Sequence, residues 1–381
     1  MGVALLGGCQ TTPTPRASEP AAVPTPAAVE TQAPSASVLA IAGELTPEGK
    51  AQRDRGVALF EAREDALALQ VWLPLAEAGH PETQYNLGVL MTRGGTVRRD
   101  LAAARRWQEQ ASAGGYAAAN CALGDLLWAD RSDPVHRQRA LAAYLRGAAL
   151  GQVPCMHNTA AFLLNGYAGS PDVIAGLHWL ERAAEAGSAT SQAQLGSAHL
   201  HGTYIPPEYE RALRWLTLAA EQGHVDATHD LAYMWEHGLG TAPDLTRAAA
   251  LYQQAAAAGQ SLSANNLGLM YRNAQGVPQD HTRAVTFFEQ AVGLRNTDAM
   301  VNLGDMHYLG LGVPADPARA AALYQQAASA GQLWGDCRMA ALLRHGEGVP
   351  ADAQRANALQ RRVLSRMPSA DCVTPLSRLL R

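Results

Sequence analysis

Lysine is almost absent from this 381-residue chain, since Lys50 is the only one and nearly all basic residues are arginines. Mechanisms that need a lysine within the rest of the chain are therefore excluded. Neither a phosphate-binding GxxxxGK[ST] loop nor the Ser-x-x-Lys motif of penicillin-recognising enzymes is present. The formal net charge is only -4, which offers nucleic acid no general attraction. We expect no nucleic-acid partner.

Metal-binding and catalytic motifs are missing as well. The 12 histidines and 5 cysteines form no HExxH and no CxxC, so a zinc site would have to be assembled from separate parts of the chain. A GxSxG elbow is absent, and no cysteine and histidine stand at a recognisable family spacing. The sequence predicts no metal, no cofactor and no enzymatic activity.

The N-terminal residues differ from the rest in composition. Residues 10–46 are rich in Pro, Ala, Thr and Ser, which cannot bury a core and predicts a disordered linker. The preceding MGVALLGGCQ resembles the lipobox of bacterial lipoproteins, whose cysteine, here Cys9, carries lipid. The apolar run is short and lacks a basic segment before it, so either the true start lies upstream or the resemblance is accidental. We interpret 1–9 as a signal remnant and expect a periplasmic protein that contacts the membrane only through a lipid anchor.

The rest of the chain is a repeat with a period of 36 residues. At this interval one position holds only Gly or Ala, at Gly88, Gly124, Ala160, Gly196, Ala232, Gly268, Gly304 and Ala340. Self-similarity at such a period predicts a solenoid, in which each unit buries its apolar face against its neighbours. We expect one continuous repeat domain with eight units over 80–366, an N-terminal capping helix pair over 47–79, and a C-terminal cap tail over 367–381.

Each unit is expected to contain two antiparallel helices. In 260–295 the face formed by Leu267, Gly268 and Tyr271 predicts a first helix over about 262–274. A GxGVxxD loop follows, in which Gly suits a left-handed helix end and Pro stops the helix. The acids at the end of the loop are expected to cap the second helix; they are Asp100, Asp172, Glu208, Asp244, Asp280, Asp316 and Asp352. We expect the aromatic residues or leucines of the second helix at Trp107, Trp179, Trp215, Leu251, Phe287 and Leu323 to fill the core.

The full pattern, A-x-x-x-L-G-x-x-Y-x-x-G-x-G-V-x-x-D-x-x-x-A-x-x-W-x-x-x-A-A-x-x-G, resembles the Sel1-like repeat (SLR), a relative of the tetratricopeptide repeat (TPR). The resemblance covers roughly 80–366. Units 116–151 and 152–187 depart most, because ADRSDPVHR and NGYAGSPD replace the GxGV loop. The resemblance implies an all-α fold, a right-handed alpha-alpha superhelix (solenoid) of helix-turn-helix repeats. It also implies a scaffold for protein assembly, often in bacterial envelopes, and no reaction.

A polar column two residues before the repeated glycine marks a candidate binding surface. The resemblance implies that first helices line the concave face, where the matching asparagine bonds the main chain of a bound peptide. An asparagine that bonds a neighbouring helix and fixes register is the alternative, and both stay open. With the slots one, four and five residues after the glycine, the candidate groove comprises Asn86, Asn158, Gln194, Asp230, Tyr233, His237, Asn266, Arg272, Asn273, Asn302, Asp305 and Tyr308. Aromatic residues among amides suit an extended peptide or a polar polymer.

The four cysteines other than Cys9 form two pairs by repeat position. Cys121 and Cys337 occupy the same slot, and Cys155 and Cys372 follow them at 34 and 35 residues. We predict disulfides Cys121–Cys155 and Cys337–Cys372, which would place the repeats outside the cytoplasm. Four small buried thiols are the alternative. Adjacent helix axes stand about 8–10 Å apart, whereas a disulfide needs Cα atoms within about 7 Å.

These observations predict a non-enzymatic scaffold or adaptor of the bacterial cell envelope that binds a protein or extended peptide in its groove. An envelope hydrolase acting on cell-wall material is an alternative, which would need a nucleophile and a base that the sequence does not expose. A soluble cytoplasmic adaptor would follow if the lipid anchor and the disulfides both proved illusory. The sequence does not indicate an oligomeric state.

Overall fold

A computed structural model describes residues 45–372. The expected signal remnant with Cys9, nearly all of the expected linker and the end of the expected C-terminal tail lie outside these residues. The described chain forms two compact units, 45–195 and 196–372. Within both units all regular structure is helical, as the repeat pattern predicts.

The first unit contains eight helices and the beginning of a ninth. They are α1 (Pro47–Glu61), α2 (Asp65–Glu77), α3 (Pro81–Arg93), α4 (Leu101–Ala113), α5 (Ala117–Ala129), α6 (Pro134–Ala149), α7 (Val153–Asn165), α8 (Val173–Glu185) and α9 (Ala189–His201). Consecutive helices pack against one another from α1 to α8. Helix α6 has 16 residues, whereas its counterparts α4 and α8 have 13.

The second unit begins inside α9 and continues with nine helices. They are α10 (Tyr209–Glu221), α11 (Val225–His237), α12 (Leu245–Ala257), α13 (Ser261–Asn273), α14 (His281–Gly293), α15 (Thr297–Leu309), α16 (Pro317–Ser329), α17 (Leu333–His345) and α18 (Ala353–Leu364). Consecutive helices from α10 to α18 again pack together. The first helix expected over about 262–274 is α13, shifted by one residue. The all-α fold of helix-turn-helix repeats is confirmed.

The loop acids cap the second helices in all but one case. Asp100, for example, accepts a hydrogen bond from the backbone N–H of Ala103 at 2.9 Å, which satisfies a donor that has no partner inside the helix. The same contact is made by Asp172, Asp244, Asp280, Asp316 and Asp352. Glu208 stands at the same position, but its longer side chain forms no such bond.

First helices end mostly as the loop glycines predict. Gly238, Gly310 and Gly346 end α11, α15 and α17 in the left-handed conformation, which glycine adopts without steric cost. In the loop after α13 the left-handed residue is Ala274, with φ at 56°. The glycine expected there, Gly276, lies two residues further on.

The repeated glycine lies against a large side chain of the second helix in the same repeat. A Cβ atom at Gly268 would lie 2.6 Å from the Phe288 ring, and one at Gly304 would lie 2.5 Å from the Tyr324 ring. At these two positions even the methyl group of alanine is too large, and no residue of the column is larger than alanine. The fully buried large residues of the second helices stand one position after the expected core column, at Tyr144, Leu180, Leu216, Tyr252, Phe288 and Tyr324. In the expected column Trp215 and Leu323 are buried, as predicted. The other four, Trp107, Trp179, Leu251 and Phe287, are half-buried and pack against the core.

Both expected disulfides are present. Cys121 and Cys155 are bonded with a Cα–Cα distance of 5.2 Å, and Cys337 and Cys372 with one of 4.7 Å. Cys337, Cys372, Ala340 and Val363 form a small buried cluster, which attaches the residues after α18 to α17.

Candidate functional site

In the first unit the polar column is mostly withdrawn from solvent. Asn86 on α3 is 6% exposed, and no hydrogen-bond partner for its Nδ2 lies within the described residues. Asn158 on α7 is half-buried and donates from Nδ2 to Asp125 Oδ1 of the preceding first helix at 3.3 Å. Gln194 on α9 is half-buried. The solvent exposure expected for Asn86 is wrong.

In the second unit the same column bonds the neighbouring repeat. Asn302 is 4% exposed and donates from Nδ2 to Asn265 Oδ1 at 2.8 Å. Asp230 lies beside Ser197, and Asn266 lies beside Tyr252. The expected exposure of Asn302 is also wrong, because its amide serves the contact between α15 and α13. These positions therefore show the second possibility left open by the sequence, in which the polar side chain contacts a neighbouring helix and fixes the register of the repeats.

Two clusters centred on an aspartate recur five repeats apart. Asp125 accepts from the Tyr144 hydroxyl at 2.7 Å and from Asn158 of the next repeat. At the corresponding positions Asp305 accepts from the Tyr324 hydroxyl at 2.7 Å and from Arg338 Nε at 3.1 Å. Each cluster therefore links two helices of one repeat to the first helix of the next.

Burial makes Asp305 part of this internal network. The residue is 5% exposed, so its expected place on an open groove is wrong. Its carboxylate is fully engaged by Tyr324 and Arg338, which is itself 4% exposed. A buried carboxylate needs such partners, because removing it from water is costly.

Asp125 of the first cluster and Asp230 of the polar column have shifted pKa values. Burial raises the pKa of Asp125 to about 6, and the hydrogen bond from Tyr144 counters part of this rise. Burial likewise raises the pKa of Asp230 to about 6, with His201 and the hydrogen bond to Ser197 acting in the opposite direction. Both side chains can therefore change protonation near neutral pH.

The remaining candidates in the second unit are accessible. His237 and Asn273 are exposed, and Tyr233 and Arg272 are half-buried. The rings of Tyr233 and His237 lie 4.1 Å apart between centroids, and Arg272 Nε donates to Asn273 Oδ1 at 3.2 Å. Half-buried Tyr308 differs, since its hydroxyl donates to Glu347 at 2.7 Å. We name Tyr233, His237, Arg272 and Asn273 the exposed patch.

Sequence reasoning named Asp305 as a groove candidate but missed the tyrosines of the internal network and the role of its acids. The signal was available, because Asp125 and Tyr144 are 19 residues apart, as are Asp305 and Tyr324. A recurring pair at this separation places an acid of the first helix opposite a hydroxyl of the second. Among the described residues no group of three or more His, Cys, Asp or Glu side chains could hold a metal ion. No helix in 45–372 is both long and apolar enough to cross a membrane.

Antiparallel helix pairs, a fixed glycine column and polar bonds between repeats define an α-helical repeat protein of the solenoid class. The Sel1 repeat model matches residues 81–116, 153–188, 189–224, 225–260, 261–294, 297–332 and 336–359. This chain therefore belongs to the Sel1 repeat family. The family model passes over 117–152, where the loop departs from the pattern, although α5 and α6 form a packed helix pair there.

Two solved structures are similar to this chain over most of its length. One is a protective antigen present in uropathogenic Escherichia coli strains that displays an SLR fold, with 28% identity and a TM-score of 0.72 over 78% of this chain. This match spans 64% of the antigen's own chain. The other is a Sel1 repeat protein from Oxalobacter formigenes, with 27% identity and a TM-score of 0.59, covering 76% of this chain and 85% of that one. Curated proteins gave no match. Sel1 repeat proteins are generally protein-interaction scaffolds.

Proposed function

We propose that this chain is a non-enzymatic scaffold or adaptor of the bacterial cell envelope, which binds a protein or an extended peptide through the concave groove of its first helices. The observation that carries the proposal is the exposed patch, which occupies repeated groove slots on α11 and α13. Family membership supports the general role.

The exposed patch has the chemistry of a peptide-binding surface. The paired rings of Tyr233 and His237 provide rigid contact area at low entropic cost. Arg272 supplies N–H donors, and Asn273 supplies both a donor and an acceptor for an extended main chain. Asn302 and Asp305, which are buried, have the separate role of fixing the helices that carry such a surface.

The proposed location is the periplasm, with a lipid anchor at Cys9. Disulfides Cys121–Cys155 and Cys337–Cys372 support an oxidising compartment, because cytosolic proteins are normally kept reduced. The lipobox-like sequence around Cys9 supports the anchor. Intact-mass measurement on protein from the native bacterium tests both points. We expect a lipid adduct together with the loss of four hydrogen atoms from two disulfides. An unmodified, fully reduced chain would contradict the location.

Site-specific photo-crosslinking tests the binding role. A photoreactive residue replaces Asn273 in the native bacterium, and a matched variant carries it at Glu289, which is exposed on second helix α14. We expect Asn273 to crosslink a discrete partner that Glu289 does not reach. Identical crosslinked products from both positions, or none from Asn273, would overturn the groove assignment.

A further inference from the structure

A cavity of about 500 Å³ opens in the first unit. It lies between the end of α5, the first turn of α6 and the loop after α7. The lining residues are Trp128, Arg131, Pro134, Arg137, Gln138, Gly166, Tyr167, Ala168 and Gly169. This volume lies within the range of about 300–1,000 Å³ common for small-ligand pockets.

In the loops after α11, α13 and α15 the corresponding space is closed by a glycine. The second glycine of the loop packs on the first residue of the preceding second helix. A Cβ atom at Gly240 would lie 2.7 Å from the carbonyl carbon of Tyr209. At Gly276 and Gly312 such an atom would meet the backbone of Leu245 and of His281 even more closely.

The cavity arises because two adjacent repeats break this arrangement. Ala168 stands two repeats before Gly240 in the same slot, but it does not adopt the positive φ that Gly240, Gly276 and Gly312 share. Arg137 stands in the slot of Tyr209, and the extra residues of α6 place Pro134 before it. The loop containing Ala168 therefore differs in conformation from the loops that close on a second helix. The same two repeats were the ones whose sequences departed from the loop pattern.

The lining combines cationic donors with aromatic rings. Arg131, Arg137 and Gln138 supply N–H donors, and no acidic residue lines the cavity. The nearby carboxylates are engaged elsewhere: Asp130 contacts His136 at 3.0 Å, and Asp133 accepts from the N–H of Val135 at 2.8 Å.

The aromatic side of the cavity is formed by Trp128 and Tyr167, whose ring centroids lie 4.9 Å apart. The guanidinium carbon of Arg131 lies 5.3 Å from the Trp128 ring centroid. A positive group therefore stands beside a flat apolar wall. Phe162 packs edge-on against both rings, at 4.7 Å from Trp128 and 5.5 Å from Tyr167 between centroids.

We propose that this cavity binds a carboxylate carried on an aromatic group. The planar guanidinium matches a carboxylate with two parallel hydrogen bonds, while the ring of the ligand packs against Trp128 and Tyr167. Such a group is found in a free aromatic acid and in an aromatic residue at the C-terminus of a peptide. The site is separate from the exposed patch and does not depend on the proposed scaffold role.

Calorimetric titration of the full chain tests the proposal with two acid probes. Indoleacetate represents the free acid, and an acetylated Gly-Gly-Trp peptide represents the C-terminus; the amide of each is its neutral control. We expect at least one acid to bind, and its amide to bind at least about tenfold more weakly. The probe that binds more tightly identifies the source of the carboxylate.

Arginine variants complete the test. The double variant Arg131→Gln and Arg137→Gln should weaken binding of the acid by at least about tenfold. Arg106→Gln, at an exposed position of α4 outside the cavity, should leave it unchanged, and melting curves should show all variants folded. Failure of both acids to bind, equal binding of acid and amide, or undiminished binding by the double variant would overturn the proposal.

Discussion

Cys121 and Cys155 occupy the same two repeat positions as His157 and Ser191, which hydrogen-bond each other at 3.0 Å. The pair His229 and Ser263 repeats this contact at 2.8 Å. Each pair is separated by 34 residues and joins adjacent first helices. The axes of packed helices typically stand about 8–10 Å apart, but at this slot the Cα atoms of Cys121 and Cys155 are only 5.2 Å apart. The disulfide is thus a covalent version of a recurring contact between repeats.

Removing the Cys121–Cys155 disulfide should destabilise the first unit substantially. Replacing both cysteines by Ser frees a loop of 34 residues, and the chain-entropy model gives about 3–4 kcal/mol for a loop of this size. Urea unfolding of the variant and the parent measures this loss. Ser191→Ala is the matched control, because it removes only the analogous hydrogen bond and should cost about 1 kcal/mol. Equal stability of the serine variant and its parent would show that the bond is not formed.

Asp125 should make stability depend on pH. Its pKa is raised by burial to about 6, above the usual value of about 3.9 in an unfolded chain. The favourable contribution is therefore complete below about pH 4 and is lost as pH rises through 6, with an upper limit of about 3 kcal/mol. Asp125→Asn keeps an oxygen that can accept from Tyr144 and has no charge to bury.

The comparison between the parent and Asp125→Asn isolates this effect from other titrating groups. Urea unfolding from pH 4 to pH 8 should show the variant gaining stability relative to the parent as pH rises, with most of the change before pH 7. Asp100→Asn, which alters an exposed helix cap, serves as the control. A constant difference between Asp125→Asn and the parent across this range would contradict burial of the carboxyl.

Gly304→Leu should damage the fold severely. A Cβ atom there would lie 2.5 Å from the Tyr324 ring, which is fully buried. Overpacking typically costs about 1–3 kcal/mol, and a side chain this large should reach or exceed the upper end. Gly293→Leu is the control, because nothing lies within 4 Å of a Cβ at that helical position. Thermal melting should fall markedly for the first variant and little for the second; comparable melting would refute the close packing of this column.

The glycine column, helix caps and disulfides followed from the sequence because each has a local cause or a fixed spacing. The burial of the polar column did not follow from the sequence, because an asparagine at a repeated position of a helix can face either solvent or a neighbouring helix. If Asn266 and Asn302 were exposed groove residues, replacing both would leave stability unchanged. Because Asn302 bonds Asn265, we expect this double replacement to lower stability. The cavity beside Arg137 could not be predicted either, because it lies where the loop containing Ala168 departs from the regular conformation and is not marked by a motif. In the sequence the cavity is indicated only by the departure of these two repeats from the loop pattern.

Arg338 should be essential to the buried network of the second unit. It pairs with Asp305 at 3.1 Å, and both side chains are buried, so Arg338→Met would leave a buried carboxylate with Tyr324 as its remaining donor. Breaking a buried pair from one side typically costs about 3–5 kcal/mol. Adding Asp305→Asn to Arg338→Met should recover much of this loss, because no unpaired charge is then left behind.

The repeat itself supplies a second replacement for Arg338. Arg338→Asn places at this slot the residue that bonds Asp125 from Asn158 five repeats earlier, and it should be less harmful than Arg338→Met. Urea unfolding of the parent, the two single Arg338 variants and the Arg338→Met, Asp305→Asn double variant forms the test. Two results together would contradict the network: equal stability of Arg338→Met and Arg338→Asn, and a double variant whose loss of stability is the sum of the losses from Arg338→Met and Asp305→Asn. Arg338 and Asp305 would then not be coupled, and the network would not connect α15 to α17.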